Sequence, residues 1–351
     1  MSATAQVTTN RVLLLRPMFA VGSSFVKVDR QLLERHFTVT PFAAEPGDRL
    51  LFLRLLKALR EQDLCYVWFA DAHAYAAVKA CRLLGKPCLL VPGQYELADY
   101  PQAGYGLRHE SKSRWRRGMY ALRHATRVLA VSQFHEGLIR EQGVPQERVT
   151  VIPHGFEVSL FDLRPVGERQ PGTVVTTAHL GTPQRLWIKG LETFARAAAL
   201  VPEAQFTIIG DYSPQTAEQL QSLAEGRLQL TGGLPFEQVL DVLARSQVYA
   251  QLSATETFGC ALAEAMLGEC IPVVTNRGAL PEVVGDLGFE VEYGDAEGTA
   301  AAIRQAFGAT HGAQCRRRIQ ELYPLERREQ ALLEAVEQHV GEYPPVVGGT
   351  R

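Results

Sequence analysis

The sequence of 351 residues has neither an excess of charge of one sign nor a long apolar run. Its 36 Lys and Arg residues are balanced by 38 Asp and Glu residues, whereas a dedicated nucleic-acid binder usually carries a strong basic excess. No uncharged apolar run reaches the ~18 residues that a membrane-spanning helix needs, and the N-terminal MSATAQVTTN contains no apolar signal segment. We therefore expect a cytoplasmic protein that binds no nucleic acid and touches at most the inner surface of a membrane.

None of the six cysteines belongs to a Cys-x-x-Cys pair, the spacing that often marks a zinc or redox site. Most of them lie in apolar surroundings, as Cys65 and Cys88 do. The sequence therefore predicts buried free thiols in a reducing compartment, with no metal centre and no cofactor.

Short β-rich apolar runs alternate with amphipathic stretches along the whole chain, which is typical of parallel sheets with helices on both faces. The predicted strands fall into two groups of six, at 12–15, 37–39, 64–69, 88–91, 128–131 and 149–152, and at 174–177, 206–209, 228–230, 248–252, 271–274 and 289–291. The fold class is therefore α/β, with two Rossmann-like doubly wound domains that face each other across a cleft.

A polar break with two prolines and two glycines, residues 164–172, separates the two groups of strands and is predicted to be a linker. We place the first domain at 1–165 and the second at 173–315. A helical pattern over 316–351, interrupted near Pro324, is expected to cross back to the first domain and to end in a frayed tail. Open α/β sheets bind ligands beyond the carboxyl ends of their strands, so the cleft is the expected site.

The segment from Ser253 to Met266 follows a predicted strand and is the most informative of the sequence. Glu256 would lie at the end of the strand, Gly259 would open a helix whose free N–H groups bind a phosphate, and Glu264 would lie one turn further on. The two carboxylates would then accept hydroxyl groups on either side of the phosphate. Alternatively, both are solvated residues at the end of a helix.

Two other segments also follow predicted strands of the second half. Arg185 and Lys189 precede a helix start, where cations gain nothing from the helix dipole, and both can bind a diphosphate. Gly278, within Asn276-Arg-Gly-Ala-Leu-Pro-Glu282, would let the backbone approach a ligand. Exposed basic residues and a dipole-stabilising Glu282 are the structural alternatives.

Taken together, the basic pair, the Glu256-Thr-Phe-Gly259…Glu264 block and the Gly278…Pro281-Glu282 turn resemble retaining glycosyltransferases of the GT-B fold, family 4. The resemblance covers residues 173–293 best, extends to Val151-Ile-Pro-His-Gly155, and is weaker before residue 128. It implies a hexosyl transfer from a nucleotide diphosphate sugar to an unidentified acceptor, with retention of anomeric configuration.

The resemblance also assigns roles to residues. Glu256 would contact hydroxyls of the donor sugar, Glu264 the ribose, and Lys189 and Arg185 the leaving diphosphate. The remaining donor contacts would come from backbone near a phosphate or a nucleobase, at Phe258, Gly259, Cys260, Gly232, Gly233, Leu234 and Gly278.

No Asp-x-Asp motif occurs in the sequence, so the metal clamp of many other sugar transferases has no obvious ligands, and we expect metal-independent transfer. Glu256 is expected to bind hydroxyls rather than act as a nucleophile. Two alternatives stay open: an epimerase of nucleotide sugars on the same fold, and a non-catalytic protein that binds nucleotide sugars.

The first domain is expected to bind the acceptor, a sugar or a lipid-linked molecule. His73 follows a predicted strand and is a candidate catalytic or acceptor-binding residue, or else a histidine packed at a helix start. The further candidates for acceptor contact are Gln94, Tyr95, Glu96 and His154.

The stretch from Arg108 to Arg127 carries seven basic residues with Trp115 and Tyr120 among them. A basic, aromatic helix of this kind can lie on an anionic membrane and would suit a lipid-linked acceptor. A solvated helix face explains the same pattern.

Overall fold

A computed structural model describes residues 10–162, 164, 169–179 and 182–342. Its twelve strands are β1 (Arg11–Pro17), β2 (Thr38–Ala44), β3 (Leu64–Trp68), β4 (Cys88–Val91), β5 (Arg127–Ala130), β6 (Val149–Val151), β7 (Gln170–Thr177), β8 (Gln205–Ile209), β9 (Leu228–Leu230), β10 (Ser246–Gln251), β11 (Ile271–Thr275) and β12 (Phe289–Val291).

The helices of the first half are α1 (Ser24–Glu34), α2 (Leu51–Leu59), α3 (Ala72–Leu84), α4 (Gln94–Leu97), α5 (Leu107–Glu110), α6 (Lys112–His124) and α7 (Gln133–Glu141). Those of the second half are α8 (Pro183–Ile188), α9 (Leu191–Leu200), α10 (Pro214–Leu223), α11 (Phe236–Arg245), α12 (Cys260–Leu267), α13 (Leu280–Val284), α14 (Ala296–Phe307), α15 (Gly312–Leu322) and α16 (Leu325–Glu342). None of these described helices is long and apolar enough to cross a bilayer.

All strands of the first sheet are parallel, in the order β2-β1-β3-β4-β5-β6. Residues 12–15 of β1 are fully buried because helices cover both faces of the sheet, which is why this strand is continuously apolar. The second sheet is also parallel, in the order β12-β11-β10-β7-β8-β9. The predicted pair of doubly wound α/β sheets is confirmed.

Strand β7 begins at Gln170, four residues before the predicted start, and pairs there with Ser246. Arg169 donates to the carbonyl oxygens of Ser246 and Gly268. The predicted linker is therefore wrong over 169–172, because this segment pairs along β10 although it is polar. Residues 165–168 of that linker lie outside the described residues.

The carboxyl edges of the two sheets face each other and exchange hydrogen bonds. The side-chain amide of Gln94 donates to the Thr255 carbonyl at 3.0 Å, and the Ser132 hydroxyl donates to the Thr257 carbonyl at 2.6 Å. These contacts place the loop between β10 and α12 directly against the first domain.

The C-terminal pattern forms two helices that pack on different domains, not one crossing helix. Helix α15 packs on α12 in the second domain, and only α16 reaches α1 and β3 of the first. The chain crosses between them at Pro324, which pairs with Phe156 in a β-bridge. The predicted frayed tail lies outside the described residues beyond Glu342.

Candidate active site

Glu256 lies in the loop after β10 and is buried. Its Oε1 accepts from Lys189 Nζ at 2.6 Å, from Ser253 Oγ at 2.8 Å and from Gln251 Nε2 at 2.9 Å. Its Oε2 receives no hydrogen bond from the residues that the structure describes. One oxygen is thus fixed by three donors, and the other remains able to accept a hydroxyl group.

Lys189 and Arg185 are carried by α8, a short helix that the sequence analysis missed. Gly190 follows Lys189 with φ of +63°, and a Cβ there would lie 1.9 Å from the Leu252 carbonyl oxygen. This close approach, which requires glycine, brings Lys189 to the end of β10. Arg185 lies one turn earlier on α8 and is exposed.

Gly259 opens α12 with φ of +99°, as the sequence predicts for a helix start that faces a ligand. Cys260 is the first helical residue and is partly buried. Glu264 is only partly exposed, and burial raises the pKa of its carboxyl group to about 7. The described residues give this carboxyl no hydrogen-bond donor, so it is available to a ligand.

The Phe258 ring does not face the cleft. It is 2 % exposed and packs edge-on against His154 at 5.3 Å and Tyr323 at 5.1 Å. Only the backbone of Phe258 can contribute to a ligand site there.

His154 is likewise held among rings, with Phe25 at 5.7 Å and a parallel Trp68 at 6.3 Å. Burial lowers its pKa well below the usual value. Its predicted contact with the acceptor is therefore wrong in this structure, because the imidazole packs where the two domains meet.

Gly278 supports Glu256 rather than presenting an open backbone. A Cβ at this position, where φ is +65°, would lie 2.5 Å from both the N and the O of Glu256. The next amide, of Ala279, donates to that oxygen at 2.8 Å. The predicted direct approach of Gly278 to a ligand is replaced by packing that fixes the backbone of Glu256.

The predicted nucleobase turn, Gly232 to Leu234, follows β9 and lies beside the loop after β8. The Gly210 amide donates to the Gly232 carbonyl at 2.9 Å, and a Cβ on Gly233 would lie 2.4 Å from Asp211 Oδ1. Leu234 is partly buried and packs against the core. The structure therefore joins two loops at the carboxyl edge of the second sheet.

Of the candidates around α4, Gln94 alone reaches the second domain, through its bond to Thr255. The Tyr95 hydroxyl donates to Glu110 at 2.8 Å, and burial raises the pKa of Tyr95 to about 12. Glu96 is 4 % exposed, and burial raises its pKa to about 7. These contacts within the first domain contradict the expected acceptor contacts of Tyr95 and Glu96.

His73 lies at the start of α3, is 6 % exposed, and bonds through Nε2 to the Trp68 carbonyl oxygen at 2.8 Å. Burial lowers its pKa, so the neutral imidazole is favoured. The residue lines a cavity of about 680 Å³ in the first domain together with Asp71, Arg114 and Arg117. Its hydrogen bond lies within the first domain and places it in this cavity rather than against Glu256.

Two tyrosines that the sequence analysis did not consider also reach the site. Tyr100 and Tyr105 pair through both backbone amides in a small hairpin, and the Tyr100 ring packs on Trp187 of α8 at 5.6 Å. Burial and the Glu256 carboxylate raise the pKa of Tyr105. The prolyl and glycyl residues of this loop, between β4 and α6, were the available signal.

Glu282, predicted to interact with its own helix dipole, instead accepts from the backbone amides of Gln133 at 2.9 Å and Phe134 at 3.3 Å. It therefore caps helix α7 of the opposite domain.

Comparison with known proteins agrees with this geometry. Residues 173–308 match the family model described as glycosyl transferases group 1, and residues 17–160 match the model for glycosyltransferase family 4. The two matches together span most of the chain.

Curated relatives include phosphatidylinositol N-acetylglucosaminyltransferases of yeast and plants. The GPI3 subunit of Saccharomyces cerevisiae is 30 % identical over 179 residues, which cover 47 % of this chain and 39 % of the relative. The relative of the same enzyme name from Arabidopsis thaliana is 25 % identical over 160 residues, 43 % of this chain and 34 % of the relative. The matches thus cover well under half the length of these relatives.

Solved structures share the fold across nearly the whole chain. Anabaena HepE in complex with UDP-glucose has a TM-score of 0.75 at 21 % identity, covering 93 % of this chain and 99 % of that one. Sucrose-phosphate synthase from Thermosynechococcus elongatus has a TM-score of 0.75 at 18 % identity, covering 95 % of this chain and 100 % of that one. With two matching domain models and this architecture, the chain belongs to glycosyltransferase family 4 and has the GT-B fold.

Proposed function

We propose that this glycosyltransferase moves a hexosyl group from a nucleotide diphosphate sugar to a hydroxyl of an acceptor, with retention of configuration and without a metal ion. The observation that carries the proposal is the convergence of Lys189, Ser253 and Gln251 on one oxygen of Glu256. A buried carboxylate held in this way has a fixed direction, which is the requirement for selecting one orientation of a sugar.

The donor is proposed to lie along the carboxyl edge of the second sheet. Its diphosphate would lie between Lys189, Arg185 and the first amides of α12, where fixed positive charge and free N–H groups meet. Glu264, one turn into α12, would accept the hydroxyls of the ribose. The turn from Gly232 to Leu234 would lie near the nucleobase. The similar fold of HepE, solved in complex with UDP-glucose, supports a donor of this class.

Leaving-group departure is the step that these cations assist. As the anomeric C–O bond breaks, negative charge grows on the diphosphate, and Lys189, Arg185 and the start of α12 stabilise it without reorganisation. Since Asp-x-Asp is absent from the sequence, we assign this role to these groups and not to a metal ion.

We assign Glu256 to hydroxyl binding and not to nucleophilic attack. Its Oε1 is occupied by three donors, whereas Oε2 is able to accept a sugar hydroxyl. The acceptor would then attack from the face that the diphosphate leaves, and its proton would pass to a diphosphate oxygen. This route gives retention without a covalent sugar–enzyme bond.

The acceptor is proposed to bind to the first domain, whose carboxyl edge faces Glu256. The names of the yeast and plant relatives specify phosphatidylinositol as the molecule glycosylated, which supports a lipid-linked acceptor here, with a soluble sugar as the alternative. We place the protein in the cytoplasm, where nucleotide sugars are the donors available to it.

The function is tested by screening nucleoside diphosphates and their sugars for thermal stabilisation, followed by transfer assays with the donor that binds. A donor at a hundredfold excess over its dissociation constant stabilises the fold by ~2.7 kcal/mol. Glu256→Gln is expected to lower kcat about 10²- to 10³-fold. Glu203→Gln, which changes an exposed carboxylate of the same domain, is the matched control and should be silent.

Product analysis separates the alternatives. Retention appears in the anomeric proton coupling of the product, and chelation of divalent metal should leave the rate unchanged. Conversion of the donor sugar in the absence of any acceptor would indicate an epimerase. Unchanged transfer by Glu256→Gln would refute the site, and a glycosylated Glu256 in the intact mass spectrum would refute the hydroxyl-binding role.

A further inference from the structure

Exposed large apolar side chains of the described residues are concentrated at one place on the first domain. Seven such side chains are at least one-third exposed, and four of them belong to two neighbouring segments. Phe19 is 72 % exposed and Met18 46 %, just after β1, whereas Leu50 is 61 % and Leu53 60 % exposed at the start of α2. Single exposed apolar residues are ordinary, but a cluster of this kind marks an interaction surface.

These four side chains surround the mouth of the 680 Å³ cavity that contains His73. Met18 and Phe19 line the cavity itself, and Leu50 and Leu53 flank the lining residues Arg49 and Leu51. The cavity is therefore open on the side that carries the apolar cluster.

The carboxylates of the cavity are mostly neutralised by the protein. Asp48 forms an ion pair with Arg54, and Asp71 forms a bidentate pair with Arg114. Glu45 also lines the cavity and is exposed.

Three cations at the start of α6 lie exposed on the same edge of the domain, namely Lys112, Arg116 and Arg117. The structure places no carboxylate of the described residues within salt-bridge distance of them. By contrast, Arg108 is paired with Asp99, and Arg123 donates to the Gln142 carbonyl. The predicted basic stretch is thus divided, and only its part at the start of α6 presents solvent-exposed charge.

The polarity of the fold places these groups together. In a parallel sheet, each helix that follows a strand begins at the carboxyl edge and runs back to the amino edge. The segment after β1, the start of α2 and the start of α6 therefore share the carboxyl edge of the first sheet. The same edge faces the loop that carries Glu256.

We propose that Phe19, Met18, Leu50 and Leu53, together with Lys112, Arg116 and Arg117, form a docking face for anionic membranes. The apolar side chains would enter the boundary between head groups and acyl chains, and the cations would contact lipid phosphates. The adjoining cavity would then open towards the bilayer and receive the head group of a lipid acceptor. This last step depends on the proposed transferase function, whereas the docking does not.

Docking is tested by sedimenting the full chain with vesicles of phosphatidylcholine and phosphatidylserine, and with vesicles of phosphatidylcholine alone. Binding is expected for the anionic vesicles and should weaken as salt is added. The double variant Leu50→Ala/Leu53→Ala and the single variant Phe19→Ala should each lower the partition coefficient about tenfold. Lys112→Ala and Arg116→Ala should each lower it about fivefold, equivalent to ~1 kcal/mol per cation.

Leu83→Ala and Arg60→Ala are the matched controls. Both side chains are exposed in the same domain, but they lie where α3 and α2 end, at the opposite edge of the sheet. These variants should bind vesicles as the unaltered protein does. All variants change exposed side chains, so their circular dichroism and their stabilisation by nucleoside diphosphate should be unchanged.

Failure of docking and failure of the proposed function give different results. Vesicle binding needs no nucleotide, and stabilisation by a nucleoside diphosphate needs no membrane. Sedimentation that is insensitive to anionic lipid, or reduced equally by Leu83→Ala, would overturn the docking face. If light scattering shows that Leu50→Ala/Leu53→Ala instead dissociates an oligomer, the face binds a second copy of the chain and the membrane proposal is wrong.

Discussion

The ammonium group of Lys189 lies 2.6 Å from Oε1 of Glu256, although the two residues come from loops after different strands. Each is thereby oriented by the other: the lysine is only 26 % exposed, and the carboxylate is buried beside Ser253 and Gln251. The pair couples the group proposed to hold the diphosphate to the group proposed to hold the sugar.

Lys189→Met should therefore damage both sites at once. The variant loses a cation at the leaving group and leaves the Glu256 carboxylate without its counter-charge, so kcat/KM should fall about 10²- to 10³-fold. Lys189→Arg should rescue it poorly, because a planar guanidinium does not replace a compact ammonium in this space. Arg196→Met, which removes an exposed cation of neighbouring α9, is the control. Steady-state kinetics with a defined donor provide the measurement, and near-normal rates for Lys189→Met would contradict the pairing argument.

The strands and the cleft were predictable because they depend on local periodicity. Continuous apolar runs such as 12–15 and 88–91 are readable without tertiary information, since parallel strands are buried on both faces. The positions of Glu256 and Lys189 followed from the rule that ligands bind beyond the carboxyl ends of such strands.

What the sequence did not predict are contacts between residues distant in the chain. The ring of Phe258 packs on Tyr323, and Glu282 caps a helix that begins at Gln133. Tyr100 packs on Trp187 across the domains. None of these pairs leaves a periodic signal, because each depends on how two sheets are placed relative to one another.

Gly278→Ala should lower activity although the glycine has no proposed contact with substrate. A methyl group at this position would meet the backbone N and O of Glu256 at 2.5 Å, and φ of +65° is itself unfavourable for alanine by about 1–2 kcal/mol. The loop must shift, so kcat should fall more than the affinity for a nucleoside diphosphate. Gly294→Ala, also at positive φ but with open space around it, separates the backbone cost from the steric one. Equal losses in the two variants would refute the packing argument.

Glu96 should make the protein less stable as the pH rises. Burial raises its pKa to about 7, so the folded state binds this proton more tightly than the unfolded chain, whose glutamates titrate near 4.3. Its contribution is full below about pH 4 and is lost between about pH 4 and 7, with a size of roughly 3 kcal/mol. Glu96→Gln should therefore flatten this part of the profile, measured by urea unfolding at about pH 5 and about pH 8. An unchanged slope would exclude Glu96 as its source.

Glu264 has the same raised pKa but a proposed ligand, which gives a different expectation. If ribose hydroxyls donate to its carboxylate, binding requires deprotonation, so the affinity for a nucleoside diphosphate should increase as the pH rises through about 7. Glu264→Gln should abolish this dependence, whereas Glu96→Gln should retain it. Titration calorimetry in buffers of different ionisation enthalpy would detect the released proton. A pH-independent affinity in the unaltered protein would argue against Glu264 as the ribose contact.

The buried pair of Arg328 and Asp29 should control how α16 is held to the first domain. Arg328 donates to both oxygens of Asp29, at 2.6 and 2.9 Å, and to the carbonyls of Ile152 and Pro153. Arg328→Met leaves Asp29 charged and buried, and should lower the free energy of unfolding by about 3–5 kcal/mol. Adding Asp29→Leu should recover part of that loss, because the uncompensated charge is removed.

The same two helices offer the control, since Arg35 at the end of α1 pairs with Glu329 of α16 at the surface. Arg35→Ala should cost no more than about 1 kcal/mol, because an exposed ion pair gains little from its Coulomb attraction in water. Urea unfolding of the four variants tests the ranking. If Arg35→Ala destabilised as much as Arg328→Met, attachment of α16 would depend on the general number of cross-helix contacts and not on the buried charge.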